Sequence, residues 1–259
     1  MTSRKVKRIM NEIKELYSSE EILKNSGIYF NISEDSIEKI QLLFVGNEDT
    51  PYENGFYLFE LTYPDNYPMI PPKMKYYTQG FFNNPKNKLF NVRFNPNLYT
   101  NGKVCLSMLN TWNGPGWVPT NTISNVIVAI QALVLNKNPL QNEPGFESAQ
   151  KEELEKYNDI IRFSNYKISI LDQVNKGSKK EKFKNFDSVI RKIFLDKVDK
   201  IDNNLIVLMD QKNNEYIYSR AYNMNMILDY KELYNYFRIV KIKAMIDDKD
   251  KDENVKESS

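Results

Sequence analysis

The sequence predicts an α+β fold. An N-terminal helix precedes a four-stranded antiparallel meander, central and C-terminal helices follow, and a mostly helical C-terminal extension completes the chain. Three observations carry this. Apolar residues recur at helical spacing near the start, β-branched and aromatic runs separated by turn clusters fill Ile28 to Tyr77, and helical spacing returns after Trp117. With 259 residues, 41% of them apolar and 27% charged, the chain has room for one domain of about 150 residues and roughly 100 residues more.

In order, Val6, Ile9, Met10, Ile13 and Leu16 form the apolar stripe of the first helix, and Arg4, Lys5, Lys7, Arg8 and Lys14 make its outer face basic. A solvated surface is the ordinary reading of such a face. The runs Ile37 to Val45, Gly55 to Tyr63 and Lys73 to Thr78 read as strands, punctuated by Asn47–Pro51 and by Tyr63–Pro68, the latter closing at Pro71-Pro72, where proline forbids ladder pairing. Gly80 to Gly116 is rich in Asn, Pro and Gly and reads as a long loop. Its aromatic residues Phe81, Phe82, Phe90, Phe94, Tyr99 and Trp112 argue that it is packed. Ile123, Val126, Ile127, Ile130 and Val134 mark a strongly apolar central helix, and a further helical stretch after Pro144 runs through Leu154 and Tyr157 to Leu171.

Asn175–Lys182 reads as a charged, flexible break. Beyond it the pattern predicts a helix from about Asn185 to Val198, a hairpin from Leu205 to Tyr218, and a helix from Asp229 to Ile246. The expected division is a core at 1–160, an extension at 161–246 whose apolar content favours packing, and a disordered tail at 247–259.

Composition excludes several chemistries. Acidic and basic residues nearly cancel to a net charge of +2, so no whole-protein field favours nucleic acid or an anionic membrane. No apolar run reaches the roughly 18 residues of a membrane span, and Met1–Lys5 leads into an amphipathic pattern, not a signal peptide. Cytosol or nucleus is the expected compartment. One cysteine forms no internal disulfide, and with no histidine in the chain a zinc site cannot be assembled.

The absence of histidine also constrains Cys105. A hydrolytic cysteine borrows an imidazole as general base, so a papain-like mechanism is not expected. A free thiol is still a few per cent ionised near neutral pH, and thiol exchange is nearly isoenergetic, so a cysteine without a strong base can take part in it. Isolated cysteines are more often small buried hydrophobes. Here, however, Cys105 follows Asn97 in one Asn- and Gly-rich loop, and a fixed carboxamide is a neutral donor for a developing oxyanion. Thiol plus amide suggests acyl transfer, provided that the sulfur lies at the rim of a shallow groove within reach of water and the carboxamide is poised over it.

Asn95-Pro96-Asn97 followed by Asn101-Gly102-Lys103-Val104-Cys105-Leu106 resembles the His-Pro-Asn and Gly-x-x-Cys-Leu signature of ubiquitin-conjugating enzymes. The rest of that pattern follows in register: Lys7-Arg8-Ile9, Asp49-Thr50-Pro51-Tyr52, Tyr63–Lys73, Trp117-Val118-Pro119 and Thr122-Ile123-Ser124, over about residues 3 to 160. Phe94–Tyr99, Gly102–Ser107, Asn110–Gly114 and Asn142–Glu147 are similar to the large branch of the family, and among its types to the Z type.

The resemblance implies the UBC fold and ubiquitin-conjugating activity. Cys105 would carry ubiquitin as a thioester received from an activating enzyme and pass it to a substrate lysine or a ligase. Asn97 would hold the oxyanion or brace its loop, and Asn95, where the family has histidine, would hydrogen-bond structurally. Asn142 and Glu143 occupy the place of the acidic gate that orients the lysine, although a charge beside Pro144 at a helix start is an equal reading of Glu143. Met69, Pro119 and Thr120 match ligase-docking positions, unless Met69 is core, and Arg4, Lys5 and Arg8 match the activating-enzyme surface. The segment Thr111–Gly116 is inserted beside the thiol. The chain would need no cofactor of its own, ATP being consumed by the activating enzyme, and would act as a monomer. Two rivals share the fold: a carrier of another ubiquitin-like modifier and a non-catalytic ubiquitin-binding scaffold.

Overall fold

A computed structural model describes residues 4–33, 36–83, 89–177 and 181–257. Helix α1 (Arg4–Ser18) buries Ile9 and Leu16 on the predicted stripe, and a short α2 (Glu20–Asn25) leads into the sheet. Strands β1 (Ile28–Ile32), β2 (Lys39–Val45), β3 (Phe56–Thr62) and β4 (Lys73–Tyr76) pair antiparallel in sequence order, as a meander. Register is fixed by pairs such as Leu42↔Phe59 and Leu61↔Met74.

Strand β2 does not alternate. Ile40, Leu42, Leu43 and Phe44 are all fully buried, which is the signature of a strand covered on both faces. Part of that cover comes from beyond residue 160. A 3-10 helix at Glu181–Phe186 touches β2, and a π-helical turn at Asn165–Leu171 touches β3. The contacts are specific: the Phe183 ring meets Tyr77 edge-on at 5.1 Å, Lys182 pairs with Glu60 at 2.7 Å, and the Tyr57 hydroxyl donates to Asn165 Oδ1 at 2.6 Å. Gly55 makes this approach feasible, since a Cβ there would lie 1.9 Å from Asn165 Oδ1.

The long loop holds a small hairpin of β5 (Phe81–Asn83) and β6 (Leu89–Asn91). The central helix α3 (Ile123–Ala129) continues as a π-helical turn through Val134, with Ile123, Val126, Ile127, Ile130 and Val134 all fully buried. Asn125 Oδ1 accepts from the Thr122 backbone N–H at 2.9 Å and so satisfies an orphan donor at its start. Helix α4 (Lys151–Ser164) carries the chain across residue 160 into the π-helical turn and α5 (Asp172–Lys176).

The extension departs from expectation in three places. Helix α6 runs Asp187–Lys212, so Leu205–Lys212 is helical, and the hairpin lies later, as β7 (Glu215–Ser219) and β8 (Met224–Leu228). The run Leu205-Ile206-Val207-Leu208 reads as a strand in isolation. Packing overrides that propensity, because Leu205 is fully buried and α6 lies along the final helix α7 (Tyr230–Glu257). Phe194 and Phe237 meet there with centroids 6.3 Å apart, and Lys241 pairs with Asp202 at 2.8 Å. Helix α7 continues from Asp247 through Glu257, where a disordered tail is expected. That segment holds no Pro or Gly, so the backbone meets no breaker there. Of the charged break at 175–182, residues 178–180 lie outside the described residues.

One cluster of buried side chains runs from Ile9 to Ala244. The extension therefore shares the core's hydrophobic interior.

Candidate active site

The loop after β6 is held by its own asparagines. Asn95 is fully buried. Its Nδ2 donates to the Val134 carbonyl at 2.6 Å and to the Tyr52 hydroxyl at 3.0 Å, and its Oδ1 accepts from the Asn97 N–H at 2.8 Å. Every polar atom of that side chain is used on the scaffold, as a structural role requires. Tyr52 in turn donates to the Phe94 carbonyl at 2.7 Å, and burial raises its hydroxyl pKa far above the ordinary range, so it stays protonated.

Asn97 and Cys105 are brought together. The Cys105 N–H donates to the Asn97 carbonyl at 2.8 Å, and Asn97 Nδ2 donates to the Cys105 carbonyl at 2.7 Å. The turn between them needs Gly102, whose φ is +90° and whose missing Cβ would stand 2.8 Å from the Tyr76 carbonyl oxygen. One N–H of the Asn97 amide is thus spent on bracing the cysteine backbone, and its Oδ1 is buried with no partner among the described residues.

The sulfur is not where the chemistry asks for it. Cys105 keeps 1% of its surface exposed, so the expectation of a thiol open to water is corrected to a closed one. The inserted loop contributes to the local order. Thr111 Oγ1 accepts from the Leu106 N–H at 2.9 Å and donates to the Val104 carbonyl at 2.9 Å, which fastens the loop to residues on either side of the cysteine.

Asn142 and Glu143, the residues at the expected place of the gate, take different partners. Asn142 Nδ2 donates to the Leu133 carbonyl at 2.8 Å and so ties the rim to the end of the central helix. The Glu143 carboxylate accepts from the Tyr222 hydroxyl, in the turn between β7 and β8. The guanidinium of Arg93 lies over the Tyr222 ring at 4.6 Å and over the Tyr99 ring at 3.6 Å, and donates to the Asn95 and Pro96 carbonyls at 3.2 and 2.7 Å. Tyr157 of α4 donates to the Arg93 carbonyl at 2.7 Å. Sequence motifs single out Tyr52 but neither Arg93 nor Tyr222. The one signal available for Arg93 is its place two residues before Asn95.

Among the proposed docking residues, Met69 is 71% exposed and so is not core. The Trp117 indole donates to the Pro68 carbonyl at 2.7 Å and sets the Met69 turn beside exposed Val118, Pro119 and Thr120. The basic helix face is less free than its composition suggests. Arg4 is exposed, but Lys5 pairs with Glu38 at 2.6 Å, and Arg8 pairs with buried Glu12 at 2.6 Å and donates to the Asn121 carbonyl at 2.7 Å.

A leading helix, a four-stranded meander, a loop that pairs Asn97 with Cys105, and a buried helix behind it define a UBC domain. Residues 8–163 match the family described as ubiquitin-conjugating enzyme, and the chain belongs to that family. It is 46% identical over 137 residues to ubiquitin-conjugating enzyme E2 Z of Homo sapiens, covering 52% of this chain and 36% of that protein. The E2 Z of Danio rerio is 39% identical over 168 residues, covering 64% of this chain and 47% of that protein. The human dual E2 ubiquitin-conjugating enzyme/E3 ubiquitin-protein ligase BIRC6 is 34% identical over 183 residues, 67% of this chain and 4% of that protein. The chain thus spans less than half the length of each of these relatives. Among the described residues, no helix is long and apolar enough to cross a membrane.

Proposed function

We propose that this protein is a ubiquitin-conjugating enzyme that carries ubiquitin as a thioester on Cys105. In loading, the Cys105 thiolate attacks the thioester carbonyl presented by the activating enzyme; a C–S bond forms to Cys105, and the enzyme's own C–S bond breaks, releasing its cysteine as thiolate. In discharge, a substrate lysine attacks the same carbonyl. The C–N bond forms, the C–S bond breaks to return the Cys105 thiolate, and the proton lost from nitrogen passes to Glu143 or solvent. Asn97, already beside Cys105, has a second amide N–H to offer the oxyanion. Exchange between two thioesters is nearly isoenergetic, so positioning carries the reaction.

The observation that supports this most is the reciprocal pairing of Asn97 with the chain's single cysteine inside a UBC domain. The proposal extends to a catalytic core at 1–160 with an extension beyond it, to Met69, Pro119 and Thr120 as a ligase surface, and to Arg4 with its basic neighbours as the activating-enzyme surface. It further takes the chain to be a monomer without a cofactor of its own, in the cytosol or nucleus, with ATP spent upstream.

One observation favours a second reading, a non-catalytic ubiquitin-binding module: the thiol is closed. Incubation with ATP, ubiquitin and each of two activating enzymes, followed by non-reducing electrophoresis, separates the readings. A thiol-sensitive adduct that becomes a thiol-resistant oxyester in Cys105→Ser supports the carrier. An adduct formed with a different modifier alone reassigns the cargo, and no adduct under any pairing leaves the binding module.

A further inference from the structure

The extension does more than complete the hydrophobic interior, because its β7–β8 turn is fastened at several points to the 143–153 segment, which holds the residue at the expected place of the gate. The Ser219 hydroxyl and the Arg220 N–H both donate to Glu153 Oε1, at 2.9 and 3.0 Å. Two residues on, the Tyr222 hydroxyl donates to Glu143. The same ring lies over Arg93, whose other nitrogens hold the Asn95 and Pro96 carbonyls. A single side chain from the extension therefore joins the two banks of the site: the loop that presents Asn97 and Cys105, and the rim that begins at Glu143.

Two further features separate this contact from ordinary surface packing. Tyr222 has φ +59° and its neighbour Asn223 φ +51°, a left-handed conformation rarely taken by a bulky aromatic residue, and strain of that kind gathers at functional positions. The hydroxyl is also a dependable donor. Burial first and the Glu143 bond second raise its pKa well above the ordinary tyrosine range, so it stays protonated wherever the carboxylate is charged.

Resting on the thioester reading above, we propose that Tyr222 is a positioning residue for the acceptor amine: it holds the Glu143 carboxylate at a fixed point on the rim, and through Arg93 couples that point to the loop carrying the thioester. A lysine ammonium approaching the groove meets an aimed negative charge instead of a mobile one. The extension thereby sets how well an acceptor is captured, while the attack itself is left to Cys105 and Asn97.

The test uses full-length wild type, Tyr222→Phe, Glu143→Gln and the double variant, each first loaded with ubiquitin, with loaded fractions recorded and ATP then removed. Discharge is followed in single turnover across a range of free lysine. Phenylalanine keeps the ring over Arg93 and deletes only the hydroxyl, so a fold defect is not built into the variant. The expected result is that Tyr222→Phe raises the lysine concentration for half-maximal discharge by about five- to tenfold, the scale of one hydrogen bond to a charged group. The rate at saturating lysine should change much less. The double variant should match Glu143→Gln, because the hydroxyl acts only through that carboxylate. An unshifted lysine dependence in Tyr222→Phe, or effects that multiply in the double variant, overturns the assignment while the thioester reading stands. A wild-type protein that never loads overturns both, and the loading measurement identifies that outcome before any discharge is followed.

Discussion

The loop around Cys105 and the segment around Glu143 are anchored differently. The Asn95–Cys105 loop is held by bonds that begin and end in the UBC core: Asn95 to Val134 and Tyr52, Asn97 to Cys105, and Cys105 back to Asn97. The Asn142–Glu153 segment is tied to the core through Asn142 Nδ2 and the Glu143 N–H, which donates to the Leu140 carbonyl at 3.0 Å, and to the extension through Ser219, Arg220 and Tyr222. On the proposed reading, chemistry and acceptor capture would be separable in this fold. The Cys105 loop is anchored within the UBC core, whereas the segment from Glu143 to Glu153 is anchored by the core and the extension together.

The strongest way to break this contrast is to loosen the extension from within. Phe194 is fully buried between α6 and α7, and Phe194→Ala should cost about 3–5 kcal/mol of stability in thermal or denaturant unfolding. Amide exchange should then quicken at 143–153 while 94–106 keeps its protection. Equal loosening of both banks would erase the distinction.

Next in size is the chemistry of the self-held bank. Asn97→Ala should slow discharge to lysine by roughly a hundredfold, with loading affected far less, if the carboxamide serves the oxyanion. A comparable loss in both steps would mark Asn97 as a brace for Cys105 alone. Asn95→Ala leaves the Val134 carbonyl without that buried donor and should lower stability by about 2 kcal/mol in thermal unfolding.

The smallest effect belongs to the surface. Lys200 of α6 pairs with Glu48 at 2.6 Å and Glu53 at 2.8 Å across the core–extension boundary. Bonding to these carboxylates raises the Lys200 pKa, and Lys200 lowers that of Glu48. The raised lysine contributes stability at low and neutral pH that fades as pH climbs through its folded value. The lowered carboxylate contributes stability above its ordinary range that fades as pH falls through its own folded value. Around neutrality both are present, yet the pair is exposed and screened, so Lys200→Met should lower the melting temperature by no more than about two degrees, and less at high salt.

The same contrast explains what could be read from sequence. The meander was legible because its runs alternate with Pro- and Asn-rich turns, and β2, β3 and β4 lie within a few residues of the predicted runs. Asn95, Asn97 and Cys105 were legible because they sit in one short stretch, within which Asn97 bonds both Asn95 and Cys105. The burial of the thiol was not, since burial is set by tertiary packing, which a short motif does not encode. Leu205–Leu208 misled because its local strand propensity is overridden by tertiary packing of the helix at buried Leu205, and Tyr222 carried no signal because its partners Arg93 and Glu143 belong to separate stretches of chain.

Carrier function requires that the closed Cys105 thiol open to an activated modifier. Intact-mass measurement of the full chain after incubation with ATP, ubiquitin and a competent activating enzyme is the direct test. One ubiquitin added at Cys105, and released by excess thiol, is the predicted result. A chain whose mass never changes while a control conjugating enzyme loads fully would contradict it.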